Sequence, residues 1–227
     1  MRNFLALLVF VCLALTCGQA EAQYLHPKIK EKTVTVRSAV ILPAKVELTK
    51  ESAKGTEMMV AESEDASVKV LDAVTGALQD KKISLVPSPY DKKSEPMPED
   101  RKYTLANIQG RYDALLPKLI DKSKDVKKGR FTLGDEVMVL NVDKSADALI
   151  FIRGSGRVFT KGKTAFSILN PFNFDFPFLF ITVGIVDVHT GEVLVFTKPI
   201  SATKVLKNPK GLKKLISKSL KKLPASS

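Results

Sequence analysis

Three apolar runs and the punctuation between them set the frame of the chain. Residues 148–152 are apolar without interruption, the pattern of a strand covered on both faces. Gly154-Ser155-Gly156 follows, and Arg153 and Arg157 mark an expected exit to solvent. Residues 181–186 and 193–197 are two further β-branched runs, separated by Asp187-Val188-His189-Thr190-Gly191-Glu192. Gly191 can take the positive φ that closes a short loop, so these runs predict a β-hairpin with His189 exposed at its tip.

The flanking patterns alternate between strand and helix periods. Residues 33–48 read as a first strand, with 39–42 continuously apolar and Pro43 ending or bulging it. Residues 56–82 predict a helix whose stripe is Val68, Leu71, Val74 and Leu78, with acids near its start and Lys81 and Lys82 at its end. Residues 83–86 make a short strand, and residues 87–103, with four prolines, a long surface loop. A second helix is expected from a Thr104 cap, with Pro117 kinking or breaking it. Thr132 is expected to cap a third, with Leu133, Val137 and Leu140 facing inward. Residues 208–223 form a cationic amphipathic helix with Asn208 as cap, Pro209 in the first turn, and a stripe of Leu212, Leu215, Ile216, Leu220 and Leu223. The fold class that follows is α/β: a mixed sheet of about four to six strands packed by about three to four helices, in one sandwich domain over residues 33–227. Residues 23–32 read as a polar tail before it.

One stretch fits neither period. Phe172, Phe174, Phe176, Phe178 and Phe180 occupy every second position, so on an extended chain they share one face. Pro171 and Pro177 argue against a helix and against a central strand. The Phe face either caps the protein's own core or forms a contact surface for a partner or a lipid headgroup layer.

The N-terminus adds a destination. Arg2, an apolar core over residues 4–16, and Ala20-Glu21-Ala22 compose an export signal over residues 1–22, with cleavage expected between Ala22 and Gln23. A rival cleavage before Cys17 would leave a lipid-anchored cysteine, although Thr16 stands where small Gly or Ala is usual. Both cysteines, Cys12 and Cys17, lie in this segment. The mature chain is therefore expected to hold no disulfide, thiolate metal site or cysteine nucleophile, and to rely on a core that about 205 residues can build.

Charge narrows the partners. Lys and Arg number 36 against 24 Asp and Glu, a net of +12. Removing the signal takes one charge of each sign, Arg2 and Glu21, and leaves the excess unchanged. Such an excess favours anionic lipid surfaces, acidic polymers or acidic proteins, and export makes nucleic acid a poor candidate. On the C-terminal helix, Lys213, Lys214, Lys218, Lys221 and Lys222 are the candidate contacts for an anionic membrane surface. The alternative is that its stripe packs on the sheet and leaves the lysines in water.

Catalytic signatures are sparse. The two histidines, His26 and His189, fall in a tail and a turn, and no zinc-protease, nucleophile-elbow or phosphate-loop motif occurs. No cofactor is expected. A hydrolase built on two carboxylates remote in sequence is the rival of a binding protein.

Three segments resemble a known group. They are Ala39-Val40-Ile41-Leu42-Pro43, Ala146-Asp147-Ala148-Leu149-Ile150-Phe151-Ile152-Arg153-Gly154, and Val183-Gly184-Ile185-Val186-Asp187-Val188-His189-Thr190-Gly191-Glu192-Val193-Leu194. They are similar to bacterial envelope lipoproteins related to the curli-secretion channel subunit and the penicillin-binding-protein activators. The resemblance covers most of residues 33–223. It implies an α/β sandwich and a non-enzymatic role in envelope assembly or secretion. Val195-Phe196 stand where the group often has Trp. The Phe-rich stretch is short of the two strands a membrane hairpin needs, so pore formation is not carried over. The expected function is an exported accessory protein, in the periplasm or on the periplasmic side of the outer membrane. It would bind an envelope protein or a second copy of itself. The alternative is a peripheral membrane binder.

Overall fold

The computed structural model describes residues 23–52, 54–88, 97–140, 142, 145–160 and 177–225. Its centre is the long strand β6, Ala148–Phe159, which is flanked by the strands that the apolar runs predict. In chain order the strands are β1 (Gln23–Leu25), β2 (Ser38–Ile41), β3 (Lys45–Ser52), β4 (Gly55–Met58), β5 (Ser84–Leu85), β6, β7 (Leu179–Asp187), β8 (Val193–Thr197) and β9 (Ile200–Ser201). The helices are α1 (Pro27–Lys30), α2 (Val60–Gln79), α3 (Glu99–Asp121) and α4 (Pro209–Ser219). Three 3-10 segments, Ser123–Lys128, Asp135–Leu140 and Thr203–Lys207, complete the described elements.

All nine described strands join one mixed sheet, more than the four to six expected. The excess comes from three sources: short edge strands, the split of the first strand at Pro43, and β1. β2 and β3 both run parallel to β6, as one path interrupted where Pro43 has no N–H to offer. β7 pairs with β6 antiparallel, from Ala148 opposite Asp187 to Gly156 opposite Leu179. The Asp147 carboxylate accepts from the main-chain N of Arg37 at 2.8 Å and of Ser38 at 3.0 Å, and so pins the start of the β2–β6 ladder. Asp187 works the same way in the hairpin, accepting from His189 N and Thr190 N at 2.8 Å each, while Gly191 takes φ +69° as expected.

Helices cover both faces, giving three layers. On one face, Ala148, Ile150 and Ile152 of β6 pack with Ile181, Val183 and Ile185 of β7 beneath α2 and α4. On the other, Leu149 and Phe151 pack with Val186 and Phe196 beneath α3 and two of the 3-10 segments. The Tyr112 ring of α3 stacks on Phe151 with centroids 4.3 Å apart. It lies over Gly184, where a Cβ would come within 2.8 Å of a ring carbon.

Several local expectations are corrected. α2 starts at Val60, not residue 56, because residues 55–58 form β4. Its buried face is Ala66, Val70, Ala73, Val74, Ala77 and Leu78, and Val68 is 57% exposed. The alanines bring the helix close enough for Ser63 and Ser67 hydroxyls to accept from Leu48 N and Val46 N, both at 2.9 Å, which covers the free edge of β3. α3 starts at Glu99 and continues through Pro117 to Asp121, held by buried Ile108, Tyr112 and Leu119. The segment after Thr132 is 3-10, not α, although Leu133, Val137 and Leu140 are buried as expected. Residues 23–30 are not a tail: β1 pairs with β8, and Leu25, His26 and Ile29 are buried.

Candidate functional site

The apolar run of β6 ends at Ile152, but the strand does not. Beyond it no described helix covers the face that α3 covers elsewhere, and that face is bare among the described residues. Lys45 and Glu47 of β3 and Ser155 and Arg157 of β6 are exposed there, and Phe178 and Phe180 are half-buried beside them. The opposite face of the same strands stays closed, because Val46, Leu48, Leu179 and Ile181 are in the core under α2.

At the boundary between covered and bare sheet lies a hollow of about 290 Å³. Asp113, Leu116 and Ile120 of α3 form one wall, and Lys45, Arg153, Phe180 and Thr182 of the sheet form the other. Arg153, expected at an exit to solvent, is 6% exposed. It can stay buried because its charge is answered: Nε donates to Asp113 at 2.6 Å, Nη1 donates to the Ile152 carbonyl at 3.0 Å, and the guanidinium lies 5.9 Å from the Tyr112 ring centre. Burial pushes the Tyr112 phenol well above its ordinary range, which keeps it neutral beneath this pair. Further along, Arg157 pairs with Glu51 at 3.2 Å and lies 5.5 Å from the Phe178 ring centre. Lys45 pairs with Glu47 at 3.0 Å. The patch thus carries both signs of charge around two aromatic rings.

The sequence-predicted residues divide among several places. Phe178 and Phe180 belong to the bare patch, and Phe180 sits in β7, paired with Ser155 of β6 and Ile200 of β9. That corrects the expected loop or edge strand at this position, since β7 has a paired neighbour on each side of Phe180. Phe172, Phe174 and Phe176 lie outside the described residues, as do Cys17, Ala20 and Ala22. Gln23 is the first residue of β1.

The α4 lysines are not gathered into this site. Leu212, Ile216, Leu220 and Leu223 are buried in the core, so the apolar stripe is already used. Asn208 caps α4 as expected, accepting from Gly211 N at 2.9 Å. Lys213 bonds Asp80 at 3.0 Å, and Lys214, Lys218, Lys221 and Lys222 are exposed.

Sequence reasoning missed Asp113 and misplaced Arg153. The available signal was the continuation of strand pattern past Ile152, in which Arg153, Ser155 and Arg157 alternate with smaller residues on one face. It also placed His26 in a tail. His26 is 4% exposed, its Nδ1 accepts from Lys28 N at 3.2 Å, and burial pulls the imidazole below its ordinary range against the opposing pull of Glu192. Among the described residues no cluster of three or more His, Cys, Asp or Glu side chains is arranged to hold a metal. No described helix is long and apolar enough to cross a membrane.

No family model matches the sequence, and no curated protein matches it. Solved structures similar to the chain include the PelC dodecamer from Paraburkholderia phytofirmans, at TM-score 0.36 and 13% identity over 85% of this chain and 90% of that one. A substituted form of the same dodecamer aligns at TM-score 0.36 and 12% identity, over 84% of this chain and 90% of that one.

Proposed function

We propose that the protein is an exported, non-enzymatic accessory protein of the bacterial cell envelope that holds a protein partner across the bare half of its sheet. The observation that carries this reading is the patch itself: one face of β3, β6 and β7, open beyond Arg153, with Arg157, Phe178 and Phe180 at its centre. Aromatic and arginine side chains are the types that anchor protein interfaces, and paired charges around them supply a polar rim. The hollow is at the small end for a small-molecule site and is better sized to receive one anchoring side chain. Glu47, Asp113 and Glu51, the carboxylates at the patch, are each paired with a lysine or an arginine, which suits holding rather than proton transfer.

The test is site-specific photo-cross-linking in the native envelope. A photo-reactive amino acid in place of Ser155 should give a discrete adduct, and one in place of Val68, exposed on α2, should not. Phe180→Ser should remove the Ser155 adduct while the melting temperature changes little. Equal adducts at both positions, or none at position 155, would refute the reading.

A further inference from the structure

We infer that Gln23, once it is the first residue of the chain, closes on itself to a pyroglutamyl N-terminus. The inference rests on reading residues 1–22 as a removed export signal. Gln23 opens β1 and is 5% exposed. Its Oε1 accepts from the main-chain N of Lys222 at 2.6 Å, which fixes the orientation of the amide. Its Nε2 is then a buried donor that meets no acceptor among the described residues. Thr197, directly across the β1–β8 pair, also keeps a buried Oγ1 without a partner. Folded proteins seldom retain such a donor, and each instance calls for an explanation.

Cyclisation supplies one. The α-amino nitrogen of Gln23 attacks Cδ, the Cδ–Nε2 bond breaks, and Nε2 takes the proton released by the amine and leaves as ammonia. The product is a five-membered lactam, with no oxidant, reductant or other reactant consumed. The atom expelled is the donor without a partner. The atom kept, Oε1, becomes the lactam carbonyl and is the same acceptor that Lys222 uses. The reaction also replaces a charged amine at the rim of the sheet with a neutral amide N–H.

The main chain permits it. His26 N donates to the Leu194 carbonyl at 2.8 Å, so positions 26 and 194 are a hydrogen-bonded pair. Antiparallel pairs alternate, which makes Gln23 and Thr197 a non-hydrogen-bonded pair. The main-chain nitrogen of Gln23 therefore points away from β8, and no ladder bond is lost when it joins the ring.

The experiment is intact-mass measurement and stepwise N-terminal sequencing of the full chain purified after export. The expected species begins at Gln23, is lighter by one ammonia, and is blocked to sequencing until a pyroglutamyl aminopeptidase acts on the denatured chain. A chain beginning at Gln23 with a free amine overturns the inference and leaves the export reading intact. A chain beginning at Met1 or Cys17 overturns both. Gln23→Asn, one methylene too short to form the ring, should keep its amine and melt about 2–4 °C lower, the shift expected from one buried unpaired donor in a domain of this length. Equal melting of the variant and the lactam would show that the fold does not favour the ring.

Discussion

The two halves of β6 are made of one strand but live in different surroundings. From Ala148 to Ile152 every side chain is buried, because α2 and α4 close one face and α3 closes the other. From Arg153 onward one face stays under α2 while the other faces solvent at Ser155 and Arg157. The change in residue pattern, from unbroken apolar to alternating, marks where the third layer stops. Truncating a side chain on the same face of each half measures the difference in cover. Phe151→Ala removes a fully buried ring stacked on Tyr112 and should cost about 3–5 kcal/mol. Ser155→Ala, two turns of the pleat away on the same face, should stay within about 0.5 kcal/mol. Denaturant melts of both variants measure the difference, and similar losses would mean that both halves are covered.

Two smaller effects locate the boundary. Gly184→Ala places a methyl against the Tyr112 ring inside the covered half, and overpacking of this kind costs about 1–3 kcal/mol. Asp113→Ala leaves the Arg153 guanidinium without its carboxylate, at the line where α3 ends its cover. Asp113 is 40% exposed, so water answers part of the loss, and about 1–2 kcal/mol is expected by thermal melting. Asp113→Glu should recover some of it.

Much of this layering was legible in the residues. Residues 148–152, 181–186 and 193–197 announced the centre of the sheet, and Asp187 and Gly191 announced its hairpin. The α/β class followed from them. What was not legible depended on contacts remote in sequence. Val68 and Val70 are equally apolar, and only the closeness of α2 to β3, set by Ala66, Ala73 and Ala77, decides which one is buried. Pro117 looked like a kink or a break because its ring and missing N–H disfavour a helix interior, yet the apolar stripe of Tyr112 and Leu119 on either side of it is buried and carries the helix through. The bare patch was half visible: Phe178 and Phe180 stood out by their spacing, but Arg153 looked like an exit because its partner lies forty residues earlier on α3.

The two histidines sit in opposite surroundings, and pH acts on that difference. His26 is buried with Nδ1 accepting from Lys28 N, so the folded form requires it neutral, whereas His189 is exposed at the hairpin tip. Burial lowers the folded pKa of His26 below the value of 6.5 taken for a free histidine. Between the two values the unfolded chain binds the proton and the folded chain does not, so stability rises with pH across that window. The contribution is present above about pH 6.5 and is lost as pH falls through the folded value. Melting temperature should drop as pH is lowered from 7 towards 5. His26→Gln should flatten that slope.

The smallest effect separates what holds α4 in place from what it displays. Its stripe of Leu212, Ile216 and Leu220 is in the core, while the Lys213–Asp80 pair beside it is open to water, with side-chain exposures of 44% and 55%. Exposed pairs gain little against screening and lost side-chain freedom, typically about 0.2–1 kcal/mol. Lys213→Ala should therefore fall at the low end of that range and converge with the parent as salt is raised. A loss as large as that of a buried side chain would mean that the lysines, not the stripe, fix the helix. The basic face would then be structural, with no freedom to meet an anionic surface. A negligible loss leaves the exposed Lys214 and Lys221 as the positions to reverse next, with a melt of each variant beside a vesicle-binding measurement: weaker binding at an unchanged melting temperature is loss of contact.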